Sequence, residues 1–136
     1  MSQTIHEIRI GAFQMDLEHV SEIKVRLAEF LSMERPFLRP GYTLKDLADD
    51  LHIPLHHLSA FINQHYGVHF NNFINEYRIN HFKEKITREE WRNKKIEAIA
   101  GESGFNNRNT FTLAFKKKTG LNPSEYIRNI RENIPE

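Results

Sequence analysis

Two groups of side chains in this 136-residue sequence are crowded enough to do chemistry together. One is a set of imidazoles, His52, His56, His57, His65 and His69, which raises metal ligation as a possibility. A metal site wants its ligands on one helical face, or a carboxylate partner at fixed spacing, and a turn separates His52 from His56 and His57. Surface imidazoles, with no metal and no cofactor, are therefore the expectation. The other group is basic. Between Phe105 and Arg131 lie Arg108, Lys116, Lys117, Lys118, Arg128 and Arg131, opposed only by Glu125. Between Thr43 and Ile74 the balance reverses, with Lys45 against Asp46, Asp49 and Asp50. A net charge of +1 thus hides a polarised chain whose second half can offer a basic face to phosphate. Catalysis has no such support: the serines lack spaced histidine and acidic partners, and the carboxylates are scattered over solvent faces. No catalytic residues are assigned and the chain does not read as an enzyme.

These side chains are carried on a pattern that occurs twice. One copy runs from Leu47, Ala48, Leu51 and Ile53 through Leu58, Phe61, Ile62 and Gly67 to Phe70, Phe73 and Ile74. The other runs from Ile99, Ala100, Gly104 and Phe105 through Phe111, Ala114, Phe115 and Gly120 to Pro123, Tyr126 and Ile127. The copies are offset by 52 positions before the internal turn and by 53 after it, so the second turn carries one extra residue. Each copy reads as a helix, a tight turn, a second helix stopped by glycine, and the start of a third. A helix-turn-helix written twice is a device for placing two helices in DNA.

Local signals set the boundaries. Val20, Ile23, Leu27, Phe30 and Leu31 give a first helical period, broken by Pro36 and Pro40. Residues 1–18 show no sustained period and read as a tail or linker stub. Thr43 with Asp46 suits a helix start, and Pro54 suits the beginning of the next helix. With Leu58, Phe61 and Ile62 inward, that helix turns His56, Ser59, Ala60 and Asn63 outward. From Phe70 to Ile86 the apolar residues change sides: Phe70, Phe73, Ile74 and Tyr77 form one stripe, and Ile79, Phe82 and Ile86 another about 160° away. A single connector about 25 Å long would then bury opposite sides in two lobes. Arg78 in this connector reads as an internal hydrogen-bonding strut. Thr87 with Glu90 suits a short extra turn next to Trp91. The second reading helix starts near Asn107, with Phe111, Ala114 and Phe115 inward and Asn109, Thr112, Leu113 and Lys116 outward. Asn122, Pro123 and Glu125 mark a last helix. No alternating run of β-branched residues signals a strand.

The expected fold is all-α, about seven helices: a tail over 1–18, a first lobe over 19–69, a linker helix over 70–86 and a second lobe over 87–133. With 39% hydrophobic residues the chain can bury one modest core or two small lobes. It contains no cysteine, which excludes disulfide frameworks and thiolate metal sites. No apolar run approaches the roughly 20 residues that span a bilayer, and the start of the chain lacks a signal-peptide block. Cytoplasmic localisation and no membrane association are expected.

The stretch IAGESGFNNRNTFTLAFKKKTGLNPSEYI, from Ile99 to Ile127, resembles the second helix-turn-helix of AraC/XylS-type transcription regulators. The Gly-Phe turn, the Phe-x-x-x-Phe pair, the Thr-Gly stop and the Pro-Ser-Glu-Tyr start occur in the family's order. The stretch TLKDLADDLHIPLHHLSAFINQHYGVHFNNFINEYRI resembles the family's first helix-turn-helix and linker helix, so the likeness covers about Glu18 to Asn133. It implies a module that inserts the second helix of each lobe into the major groove of promoter or operator DNA, about one helical turn apart. It also implies His56, His57, Ser59, Ala60 and Asn63 as DNA-facing in the first lobe, and Arg108, Asn109, Thr112, Leu113 and Lys116 in the second, with Lys117 approaching phosphate. Arg108 can fork two hydrogen bonds to guanine and Asn109 two to adenine. RNA polymerase and a sensor domain are the further partners implied. The chain then stands alone or is the output fragment of a longer regulator or signalling receptor. A helical protein-interaction module is the competing reading; it requires an apolar exposed groove, whereas the outward positions here are polar or basic.

Overall fold

Several helix ends in this chain coincide with a cap that the sequence itself supplies. The structure, a computed structural model, describes residues 7–10, 13–87 and 93–133, with side chains over 19–87 and 93–132. The described residues form helices α1 (Leu17–Met33), α2 (Leu44–Leu51), α3 (Leu55–Tyr66), α4 (Phe70–Thr87), α5 (Ile96–Glu102), α6 (Arg108–Thr119) and α7 (Pro123–Asn133). The all-α architecture with two helix-turn-helix pairs, α2–α3 and α5–α6, is the expected one. A short 3-10 turn over Pro36–Leu38 interrupts the chain between α1 and α2.

One element departs from expectation. Within residues 1–18, read from sequence as a tail without strand signal, strands β1 (Glu7–Ile10) and β2 (Phe13–Asp16) pair antiparallel, Ile8 opposite Met15 and Ile10 opposite Phe13. Each strand has only four residues, too few to establish a period of two over a window. An isolated hairpin of this size is marginal in water, and here it lies beside α1 and α3. The extra turn expected at Thr87 to Glu90, with Trp91, falls largely on residues 88–92, outside the described residues. Thr87 itself ends α4, and its hydroxyl donates to the Glu84 carbonyl at 2.7 Å.

The chain divides into two compact units. The first combines the chain up to Pro36 with Tyr42–Phe73, and the second combines Phe37–Gly41 with the chain from Ile74 onward. In the first unit α1 buries Val20, Ile23, Leu27 and Leu31 at helical spacing. Thr43 caps α2 reciprocally: the Asp46 N–H donates to its hydroxyl at 3.1 Å, and its own N–H donates to the Asp46 carboxylate at 2.9 Å. At the other end of α2 the Arg26 guanidinium donates to the Leu51 carbonyl. Tyr42 donates to the Asp50 carboxylate at 2.7 Å, which ties the entry of α2 to its last turn.

The second unit is built on aromatic contacts. Phe82 of α4 meets Phe111 at 4.8 Å and Phe115 at 5.5 Å between ring centroids, and Tyr126 of α7 meets Phe115 at 5.1 Å. Ile79, Ile86, Ile99, Ala100, Phe105 and Ile127 complete this core. Phe37–Gly41 lies numerically in the first lobe, yet it belongs to the second unit because Arg78 holds it. The Arg78 Nε donates to the Phe37 carbonyl at 2.7 Å, and Nη1 donates to Asn75 Oδ1 at 3.0 Å. The strut read from sequence is therefore present. Burial lowers the Arg78 guanidinium below its ordinary pKa, yet its carbonyl partners favour the cation.

The two helix-turn-helix turns match bond for bond. In the first, His52 is left-handed with φ 56° and the Ile53 N–H donates to the Ala48 carbonyl at 3.0 Å. In the second, Gly104 has φ 104° and the Phe105 N–H donates to the Ala100 carbonyl at 3.1 Å. After these equivalent residues the first turn passes directly to Pro54, whereas the second passes through Asn106 to the cap Asn107. Asn106 is the inserted residue.

Candidate nucleic-acid interface

The rotation of α6 about its own axis decides which side chains it offers. Asn107 caps it, with Oδ1 accepting from the Thr110 N–H at 2.9 Å, and Gly120 ends it with φ 80°. Phe111 and Phe115 are buried, so the opposite face is turned to solvent. Asn109, Leu113, Lys116 and Lys117 are exposed there, Thr112 is half-buried at the edge, and Arg108 is exposed at the start of the helix. Leu113 is 70% exposed. The remaining lysine of the run is already engaged: Lys118 Nζ lies 2.7 Å from Glu76 Oε1 of α4. This pair links α6 to α4 and engages Lys118 away from the free basic face.

Arg108 is also paired. Its Nη1 lies 3.5 Å from Glu97 Oε1, on the first turn of α5. Both residues border a groove of about 390 Å³ together with Asn109, Thr112, Asn122 and Ser124. Glu97 and Glu76 are the residues that sequence reading missed at this face. No signal pointed to them, because each meets its partner from a different helix.

In the first unit α3 is held by buried Leu58, Phe61 and Ile62 and stopped by Gly67 with φ 72°. His56 and Asn63 are exposed, while His57, Ser59 and Ala60 are half-buried. The Asn63 amide donates to the Ser59 carbonyl at 3.2 Å, one turn back on the same helix. His65 stacks on the Phe61 ring at 5.2 Å with 10° between planes, so it serves packing. α3 contains neither lysine nor arginine. The two reading helices therefore differ in chemistry: α6 presents planar hydrogen-bonding groups and cations, whereas α3 presents imidazoles and small side chains.

Residues 47–129 match the family described as the helix-turn-helix domain. The raffinose operon transcriptional regulatory protein RafR of Pediococcus pentosaceus is 25% identical over 114 residues, covering 81% of this chain and 40% of that protein. The uncharacterized transcriptional regulatory protein YesN of Bacillus subtilis is 34% identical over 91 residues, covering 65% of this chain and 24% of that protein. The C-terminal domain of AraT, a response regulator from Geobacillus stearothermophilus, superposes with a TM-score of 0.64 at 26% identity, covering 77% of this chain and 83% of that one. The chain thus spans less than half the length of these curated relatives. Among the described residues no helix is long and apolar enough to cross a membrane. The matched span contains both helix-turn-helix pairs, the connecting helix and the exposed face of α6, and the chain belongs to the AraC-type helix-turn-helix family of DNA-binding transcription regulators.

Proposed function

We propose that this chain binds promoter or operator DNA by setting α3 and α6 into adjacent major-groove segments, with α6 carrying most of the base reading. The observation that carries this is the continuous exposed face of Asn109, Leu113, Lys116 and Lys117, with Arg108 exposed at the start, on a helix whose other side is locked in the core. Arg108 forks to guanine N7 and O6, Asn109 to adenine N6 and N7, and Leu113 or the Thr112 methyl meets a thymine methyl. His56, His57, Ser59, Ala60 and Asn63 lie toward the duplex from α3 and mainly set register through phosphate and shape. As a regulator the module acts on RNA polymerase, either standing alone or as the output part of a longer regulator or signalling receptor under a sensor. Work of this kind is binding without catalysis, and it places the chain in the cytoplasm with its DNA.

Because both reading helices belong to one chain, the module is expected to protect an asymmetric site as a monomer, with two contacted segments about 10–10.5 bp apart. Site selection from a random library followed by footprinting tests this. A palindrome protected only by a dimer would contradict it.

The exposed cations divide into two kinds. Arg108→Ala is expected to lose about 1–3 kcal/mol on the preferred duplex and much less on a scrambled one, since the lost bonds are to a base edge. Lys117→Ala is expected to weaken both duplexes alike and to flatten the salt dependence by about 0.9 in log–log slope, the loss of one phosphate contact. Titrations of both duplexes at several salt concentrations read the two outcomes. Equal weakening of both duplexes by Arg108→Ala would make that residue a phosphate contact as well.

A further inference from the structure

Arg108 occupies an electrostatically awkward position. It is the first residue of α6, where the aligned peptide dipoles present their positive end, and a cation there is disfavoured unless an anion compensates it. Glu97 is that anion. Its carboxylate lies 3.5 Å from the guanidinium, and it sits in the first turn of α5, where the dipole favours negative charge. Lys94 does not compete for Glu97, because its ammonium is bound to Glu102 at 2.9 Å, and Lys85 is bound to the same carboxylate at 3.1 Å. Arg108 and Glu97 therefore face each other at the mouth of the groove between α5, α6 and α7, just beside Asn109 and Thr112.

We propose that Glu97 is a positioning and specificity-determining residue, which holds the Arg108 guanidinium over the base-reading face and keeps it from phosphate. This rests on the base-reading role proposed for α6. A guanidinium has five donors in a fixed fork, so it can keep one edge on a carboxylate while offering another to guanine. A phosphate offers the same guanidinium an equally good partner at any sequence, and the carboxylate opposes that exchange twice. It attracts the guanidinium as an ion pair at 3.5 Å, and it repels the phosphate that would replace it. Glu97 thus weakens binding to unspecific duplex more than binding to the preferred one. As an exposed pair it adds little to folding, so its effect is expected in recognition rather than stability.

The test is Glu97→Gln in the full chain, titrated against the preferred and a scrambled duplex across a range of salt. The scrambled duplex is expected to be bound about 3–10-fold more tightly and the preferred one no more than about 2-fold more tightly. The specificity ratio therefore falls. On scrambled DNA the salt slope should steepen by about 0.9, one added phosphate contact, as Arg108 swings onto the backbone. In the Arg108→Ala background the same substitution should leave ratio and slope unchanged. The unfolding midpoint should be the same in wild type and Glu97→Gln, which separates positioning from a structural defect. Equal tightening on both duplexes would reduce Glu97 to one charge in the general field and overturn the proposal. So would an unchanged ratio, or a ratio that falls equally without Arg108. A wild-type chain that prefers no duplex over the scrambled one would instead overturn the base-reading role of α6 itself.

Discussion

Replacing Gly104 by alanine is expected to destabilise the second unit by about 3–5 kcal/mol, a loss at the extreme end for a single added methyl. Two costs combine. Gly104 has φ 104°, a region that strains any residue with a Cβ, typically by about 1–3 kcal/mol. An added Cβ would also lie 2.0 Å from the Phe37 carbonyl oxygen and 2.8 Å from Arg78 Nε, so the backbone of Phe37–Gly41 must move. That movement breaks the Arg78 to Phe37 hydrogen bond, and a bond from a charged donor contributes about 1.5–3 kcal/mol. His52 takes the equivalent place in the first unit with φ 56°, inside the left-handed region that a residue with a Cβ can adopt, whereas φ 104° lies beyond it. The close approach of Phe37 adds a steric exclusion of its own. Gly67→Ala and Gly120→Ala provide the control: both glycines have positive φ, and an added Cβ meets nothing within 4 Å. They are expected to cost about 1–2 kcal/mol in urea unfolding. A Gly104→Ala loss no larger than theirs would contradict the packing argument.

Removing the guanidinium on the other side of that contact is expected to cost about 3 kcal/mol, as Arg78→Leu. Arg78 is 8% exposed, and its Nε and Nη1 satisfy the Phe37 carbonyl and the Asn75 side chain. Leucine retains apolar volume but leaves those acceptors without this donor, at about 1–3 kcal/mol for each one that stays buried and unsatisfied. The guanidinium carbon also lies 6.0 Å from the Phe105 ring centroid, a contact that disappears with it. Arg78→Lys should fall between the two, since one ammonium cannot reproduce the planar fork. Because Gly104 and Arg78 act on the same carbonyl, the double mutant should lose less than the sum of the singles. Strict additivity, read from urea midpoints, would show that they do not share Phe37.

The sequence alone was enough to read the two helix-turn-helix pairs, the connector from Phe70, the helix start near Asn107, the Asn122 and Thr43 caps, and the outward face of α6. All of these are short-range: a cap closes within three residues, and a helical face repeats within four, so the chain carries them whatever surrounds it. Even the buried role of Arg78 was legible, as a cation within an inward stretch. Tertiary structure decided which residues meet across elements. It placed Glu97 on Arg108 and Glu76 on Lys118, although both acids looked like ordinary solvated charges. Packing also drew Phe37–Gly41 into the second unit through Arg78, and paired two four-residue strands too short to show a period. Such contacts depend on the rotation and register of one element against another many residues away, which the packed aromatic core sets and no local pattern encodes.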